Sequence, residues 1–213
     1  YEPFTFDFAG DYFCKLDNHG VVLYPDERKK IILAQMEEIQ KKNDITIEID
    51  EELLDEVVAI TEYPTALLGS FDEEFLELPN EVIIGSMKEH QRYFAVYKDG
   101  EITNKFIVVS NSYTTDFSHI IAGNEKVLRP RLADGMFFWN NDIKNGLNNE
   151  GLKKVSFVDG LGSVYDKCER EAKIALLIAN QFDMDKKLLC DAVMLSKADL
   201  LTDMVYEFTD LQG

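Results

Sequence analysis

At 213 residues, 46% hydrophobic and 29% charged, the chain has the composition of a folded globular protein with ample material for a core. Its net charge of −18 opposes non-specific binding to polyanions, so any contact with nucleic acid has to be local. No run of 18 apolar residues and no basic-then-apolar start is present, so neither a membrane span nor a secretory leader is expected, and a cytoplasmic location is.

Cys14, Cys168 and Cys190 are odd in number and far apart, which argues against a disulfide framework or a structural zinc; all three are expected to be reduced and mostly buried. The chain starts at Tyr1 rather than Met and ends at Gly213 straight after a helical pattern, which suggests a piece of something longer.

Residues 1–24 carry Phe4, Phe6, Phe8, Tyr12 and Phe13 with period-2 apolar positions, a strand pattern, followed by a turn at Asn18-His19-Gly20 before Val21-Val22-Leu23-Tyr24. Pro25, Asp26 and Glu27 open a predicted helix, which Lys41 and Lys42 close and Asn43 exits. Ile45, Ile47 and Ile49 alternate as a short strand, after which Asp50 caps a helix over 51–60. A short apolar run at 63–71 and an acidic turn or helix at 72–77 precede a helix starting at Pro79-Asn80 and running to Gln91. Strand character over 92–97, the dipeptide Asp99-Gly100 and Phe106 to Ser110 define a hairpin.

From Ser118 the spacing is helical, with Pro130 as a kink or break, and the polar stretch 140–151 reads as a loop and boundary. Beyond it the pattern predicts helices over 161–182 and 186–208. The fold class expected is α+β, with a mixed sheet-and-helix module over 1–150 and an all-helical segment over 151–213.

One window reverses the sign of the chain. Residues 88–131 hold seven bases (Lys88, Arg92, Lys98, Lys105, Lys126, Arg129, Arg131) against five acids, a net of +2, whereas residues 1–87 carry −15. Lys88, His90, Gln91, Arg92 and Tyr93 are the kinds of group that hold a phosphate, read an unpaired base edge or stack on a base. The competing reading puts the Tyr93 ring in the core and pairs the cations with nearby acids. Arg129 and Arg131, two apart around Pro130, point to different faces of a regular helix; an ion pair of either with Asp134 competes with phosphate binding.

His-Glu-x-x-His, Walker and Gly-x-Ser-x-Gly motifs are absent, and His19, His90 and His119 stand in unrelated contexts. The segment 195–201 is similar to an HD phosphohydrolase core, with Ala198 beside Asp199 where the metal-binding histidine would stand. A site short of that imidazole is not expected to hold a metal.

Five blocks, EYPTALLGSF at 62–71, MKEHQRYF at 87–94, GNEKVLRPRLAD at 123–134, LGSVYDK at 161–167 and KADLLTDMVYEFTDLQG at 197–213, resemble the beta subunit of the bacterial heterotetrameric glycyl-tRNA synthetase, in that family's order and over nearly the whole chain. The resemblance implies a part in the ATP-dependent joining of glycine to its tRNA. It further implies that ATP and magnesium belong to the alpha subunit, with no cofactor and no complete active site in this stretch, which would be an internal portion of a longer chain lacking the anticodon-binding domain.

By the same resemblance, 1–150 would be a tRNA-binding module similar to the B3/4 domain of phenylalanyl-tRNA synthetase and 151–213 the start of an HD-like helical domain. The partners implied are the alpha subunit, tRNA(Gly) and the remainder of the beta chain. The residues expected to meet tRNA are Lys88, His90, Gln91, Arg92, Tyr93, Lys126, Arg129 and Arg131. Pro130, where the family usually carries a small helix-former, and a shortened 140–151 loop depart from the family pattern. An editing or HD-type hydrolase, and a scaffold that touches no RNA, remain as alternatives.

Overall fold

In the computed structural model, which describes residues 3–213, the chain groups into two units, Tyr1–Ala133 and Asp134–Gly213. The first is built on an antiparallel four-stranded sheet of order β1-β3-β4-β2, with β1 at Thr46–Ile47, β2 at Thr65–Ser70, β3 at Phe94–Lys98 and β4 at Glu101–Ser110. Asp99 and Gly100 take φ of 54° and 87°, the left-handed pair that a two-residue hairpin with matching twist requires, and Lys98 pairs with Glu101 across it.

Strand alternation sorts the side chains to two faces. Ala66, Phe94, Val96 and Ile107 pack against Ile32 and Met36 of helix α2 (Pro25–Asn43) and Leu53, Leu54, Val57 and Val58 of α3 (Glu51–Ile60). Helix α2 has Pro25 in its first turn and ends on Asp44 in the left-handed region, one residue past the expected exit. The Asp50 carboxylate accepts from the backbone N–H groups of Glu52 and Leu53 and so caps α3. On the opposite face the Phe106 ring lies over Gly69, its register partner, so closely that a β-carbon there would be 2.5 Å from the ring. This close approach is why glycine occupies the strand.

The 3-10 turn Glu73–Glu77 and helix α4 (Asn80–Gln91) follow, the latter burying Val82, Ile83 and Met87. Helix α5 (Ser118–Asn145) runs unbroken through Pro130, so of the expected kink or break the break does not occur. Proline removes only its own N–H bond to the Lys126 carbonyl, and the neighbouring rungs carry the helix on.

The strand expected near the N-terminus is instead helix α1 (Ala9–Asn18); Tyr1 and Glu2 of that expectation lie outside the described residues. The alternation of Phe4, Phe6 and Phe8 stops at Gly10, and the Asp11–Lys15 pair, 2.8 Å apart, supports a helical turn. Cys14 on this helix is exposed, contrary to expectation, while Cys168 is buried.

The second unit is not purely helical. A two-stranded hairpin, β5 (Ser156–Val158) with β6 (Gly162–Ser163), precedes α6 (Val164–Ala179), because Gly160 and Gly162 adopt left-handed φ of 77° and 81° and turn the chain back. Ser163 and Asp166 form a reciprocal capping box at the start of α6. The helix expected over 186–208 is divided into α7 (Lys186–Leu195), a 3-10 turn Ala198–Leu201 and α8 (Asp203–Glu207). Asp142, near the end of α5, accepts from the Asp203 and Met204 N–H groups, an N-terminal cap supplied from a distant position. Leu152, Val164 and Cys168 form a small core with Met194, Leu200 and Leu201 against it.

Candidate functional site

The structure separates the bases of the window that sequence reasoning grouped. At the end of α4, Lys88 reaches the Asp50 carboxylate at 2.6 Å, so one acid both caps α3 and holds a cation of another helix. The pair acts on both titrations: Asp50 is held below its ordinary carboxylate value, first by Lys88 and then by the Leu53 N–H, and Lys88 is raised by Asp50.

Arg92 takes φ of 56°, its N–H donates to the Lys88 carbonyl to close the helix, and its Nε donates to Glu56 at 2.6 Å. His90 is exposed and Gln91 half-buried. The Tyr93 ring is 3% exposed and stacked on Phe106 with centroids 4.6 Å apart. Its hydroxyl donates to Asn124 Oδ1 at 2.6 Å, and burial pushes its pKa up to about 12. The ring therefore offers no open face for a base, and the competing core reading holds for Tyr93.

The other three site residues lie on α5. Glu125 accepts from the N–H and hydroxyl of Ser70, and Asn124 takes the Tyr93 hydroxyl; together these contacts seat the first turns of the helix beside the Phe106 face. Leu128 and Leu132 are fully buried one turn apart, which turns Lys126, Arg129 and Arg131 outward.

Lys126 and Arg129, at helical spacing i and i+3, line a cleft of about 310 Å³ with Ser70, Phe71, Asp72 and Glu125. Arg129 is 3.3 Å from Asp72, a residue 57 positions away, rather than paired with Asp134. Its side chain keeps 66% of its surface exposed. Lys126 and Arg131 are exposed and make no ion pair among the described residues. Arg131 faces another side of the helix, so the arrangement is an outward cationic strip of Lys126 and Arg129 with the Asp72 and Glu125 carboxylates at its foot, able to hold a phosphate. It contains no nucleophile paired with a base.

Asp50, Glu56 and Asp72, the acids that claim three of the bases, were not picked out as partners. Asp50 had a visible capping signal; the other two had none, because the contacts join residues far apart in sequence. In the second unit Ala198 is buried and Asp199 accepts from the Gly213 N–H at 3.3 Å. Among the described residues no group of three or more His, Cys, Asp or Glu side chains converges on a metal-sized site, and no helix is long and apolar enough to cross a membrane.

A comparison with known families places the chain among subunits of aminoacyl-tRNA synthetases, since all of residues 1–213 match the model described as glycyl-tRNA synthetase beta subunit. The chain belongs to that family. Similar curated proteins named glycine–tRNA ligase beta subunit come from Helicobacter pylori strain HPAG1, 50% identical over 95% of this chain and 31% of the relative. Others come from Desulforamulus reducens, 44% identical over 95% and 30%, and Pseudoalteromonas atlantica, 43% identical over 100% and 31%. The chain thus spans about a third of the length of the curated relatives it matches.

Proposed function

We propose that this chain is the tRNA-contacting and assembly portion of a glycyl-tRNA synthetase beta subunit. The family match over the whole chain supports the context, and the outward strip of Lys126 and Arg129 on α5, with Arg131 exposed on another face of the helix, is the observation that supports the role. In this reading the strip holds phosphates of tRNA(Gly) so that its 3′ end is presented to an active site on the alpha subunit, where ATP and magnesium act. The contribution is proximity rather than bond chemistry. His90 and Gln91 are secondary contacts, and Lys88 and Arg92 act mainly as internal ties. No cofactor belongs to this chain, the remainder of the beta chain is a further partner, and the assembly works in the cytoplasm. A B3/4-like module over 1–150 and an HD-like segment from 151 complete the reading.

The assembly role rests on a second observation. Ile174, Leu177 and Ile178 of α6, with Phe182 and Leu188 just beyond, are each more than half exposed, an apolar stripe at helical spacing that marks an interaction surface.

The test is steady-state aminoacylation by the assembled enzyme carrying Lys126→Glu, Arg129→Glu and Arg131→Glu together. The KM for tRNA should rise and its dependence on salt should flatten, with the KM for glycine unchanged. An unaltered tRNA KM and salt dependence would sink the proposal.

A further inference from the structure

At the end of β2 remote from the basic strip, two tyrosines form an open corner. Tyr63 precedes β2 and Tyr113 follows β4, and because Thr65 pairs with Ser110 the two rings flank the same end of the strand pair. Their centroids are 5.0 Å apart with planes at 72°, and with Thr114 and Thr115 they line a cleft of about 430 Å³.

The corner is held from three directions. Asn111 Oδ1 accepts from the N–H groups of both Glu62 and Tyr63 at 2.9 Å, and its Nδ2 donates to the Glu62 carboxylate at 2.6 Å. The Val22 N–H donates to the Glu62 carbonyl at 2.7 Å and draws in the preceding loop. There Gly20, with φ of 76°, lies so close beneath Tyr113 that a β-carbon would be 2.8 Å from the ring. Glycine is thus required twice over, and Tyr113 is supported from below while 61% of it stays exposed.

Electrostatics select the ligand. No charged residue lines the cleft, which is formed by Tyr63, Tyr113, Thr114 and Thr115, and the Glu62 carboxylate, held by Asn111, is next to Tyr63 in the chain. With no cation in the lining a phosphate finds no counter-charge there, whereas a planar cation gains an aromatic face. Guanidinium suits this better than ammonium, because it stacks flat on a tyrosine ring while its N–H groups can donate to the hydroxyl oxygens of the lining.

We propose that the Tyr63–Tyr113 cleft binds an arginine side chain from a basic segment of a protein partner. The proposal stands apart from the RNA contact on α5 and does not depend on it.

The test uses the full-length assembled protein and a fluorescent glycine-serine peptide with three arginines, set against the same peptide with citrulline or lysine. The arginine peptide should bind tightest. Tyr113→Ala should weaken it about fivefold, Tyr113→Phe less than about twofold since the ring remains, and Glu62→Gln about threefold. Absence of binding, equal binding of the citrulline peptide, or indifference to Tyr113→Ala would overturn the proposal. So would Tyr113-dependent binding of a uridine hexanucleotide that displaces the peptide, which would make the cleft a nucleobase site.

Discussion

The end of α4 and the first half of α5 carry the same kinds of cation and leave them in different situations. Lys88 and Arg92 lie against α3, whose N-terminal cap Asp50 and helical Glu56 take them up. On α5, Leu128 and Leu132 occupy the buried face, so Lys126, Arg129 and Arg131 point away from the core, and Asp72 alone competes for Arg129. A run of positive charge in sequence is therefore only an upper limit on the positive surface. Tertiary neighbours decide how much of it a partner can use, since an exposed ion pair is weak but a cation already paired adds little to a distant polyanion's attraction.

The largest expected effect tests the platform beneath α5. Phe106→Ala removes a fully buried ring that carries the Tyr93 stack and should cost about 3–5 kcal/mol, read as a shifted urea midpoint. If unfolding were unchanged, the seat described for α5 would be wrong.

Next comes the contrast between the two ends. Reversing Lys126, Arg129 and Arg131 should weaken tRNA binding by the assembled enzyme on the order of a hundredfold at moderate salt and lower the slope against log salt by about 3. Neutralising Lys88 and Arg92 to glutamine should change affinity less than about threefold, because these charges are already engaged. Equal losses at both ends would erase the distinction.

A smaller effect concerns stability at the α4 end. Asp50→Ala removes a helix cap and the partner of Lys88 and should cost about 1–2 kcal/mol by denaturant titration. The pH dependence has a defined sign. With the folded-state value of Asp50 depressed below 3.8, its contribution is present above that value and is lost as pH falls through the depressed one. The Asp50→Asn variant should therefore show a flatter loss of stability on acidification than the parent; parallel curves would remove Asp50 from the account.

The smallest is Tyr93→Phe, which deletes the hydroxyl given to Asn124 and should cost about 1 kcal/mol while leaving tRNA affinity unchanged. A loss of affinity would restore Tyr93 as a direct contact.

Much of the first unit was legible because its signals are local. Pro25 with its flanking charges, Asp50 before an apolar helix and Asp99-Gly100 between strands each specify a conformation through their own backbone preferences. The N-terminal aromatics misled because period-2 spacing persists over only three residues before helical contacts take over at Ala9–Asn18. The hairpin at 156–163 was missed for a related reason, its strands being of three and two residues, too short to register an alternation.

By itself the sequence determined the family, the reversal of charge over 88–131 and the main helices and strands of the first unit, all properties written in residue identity and short-range spacing. Which bases face outward was decided only by the tertiary structure. Asp50, Glu56 and Asp72 stand 38, 36 and 57 positions from Lys88, Arg92 and Arg129, and only folding brings such separated charges within a few ångströms. The tyrosine corner has the same origin, since residues 20, 63 and 113 meet only because the register of β2 on β4 places the ends of those strands together.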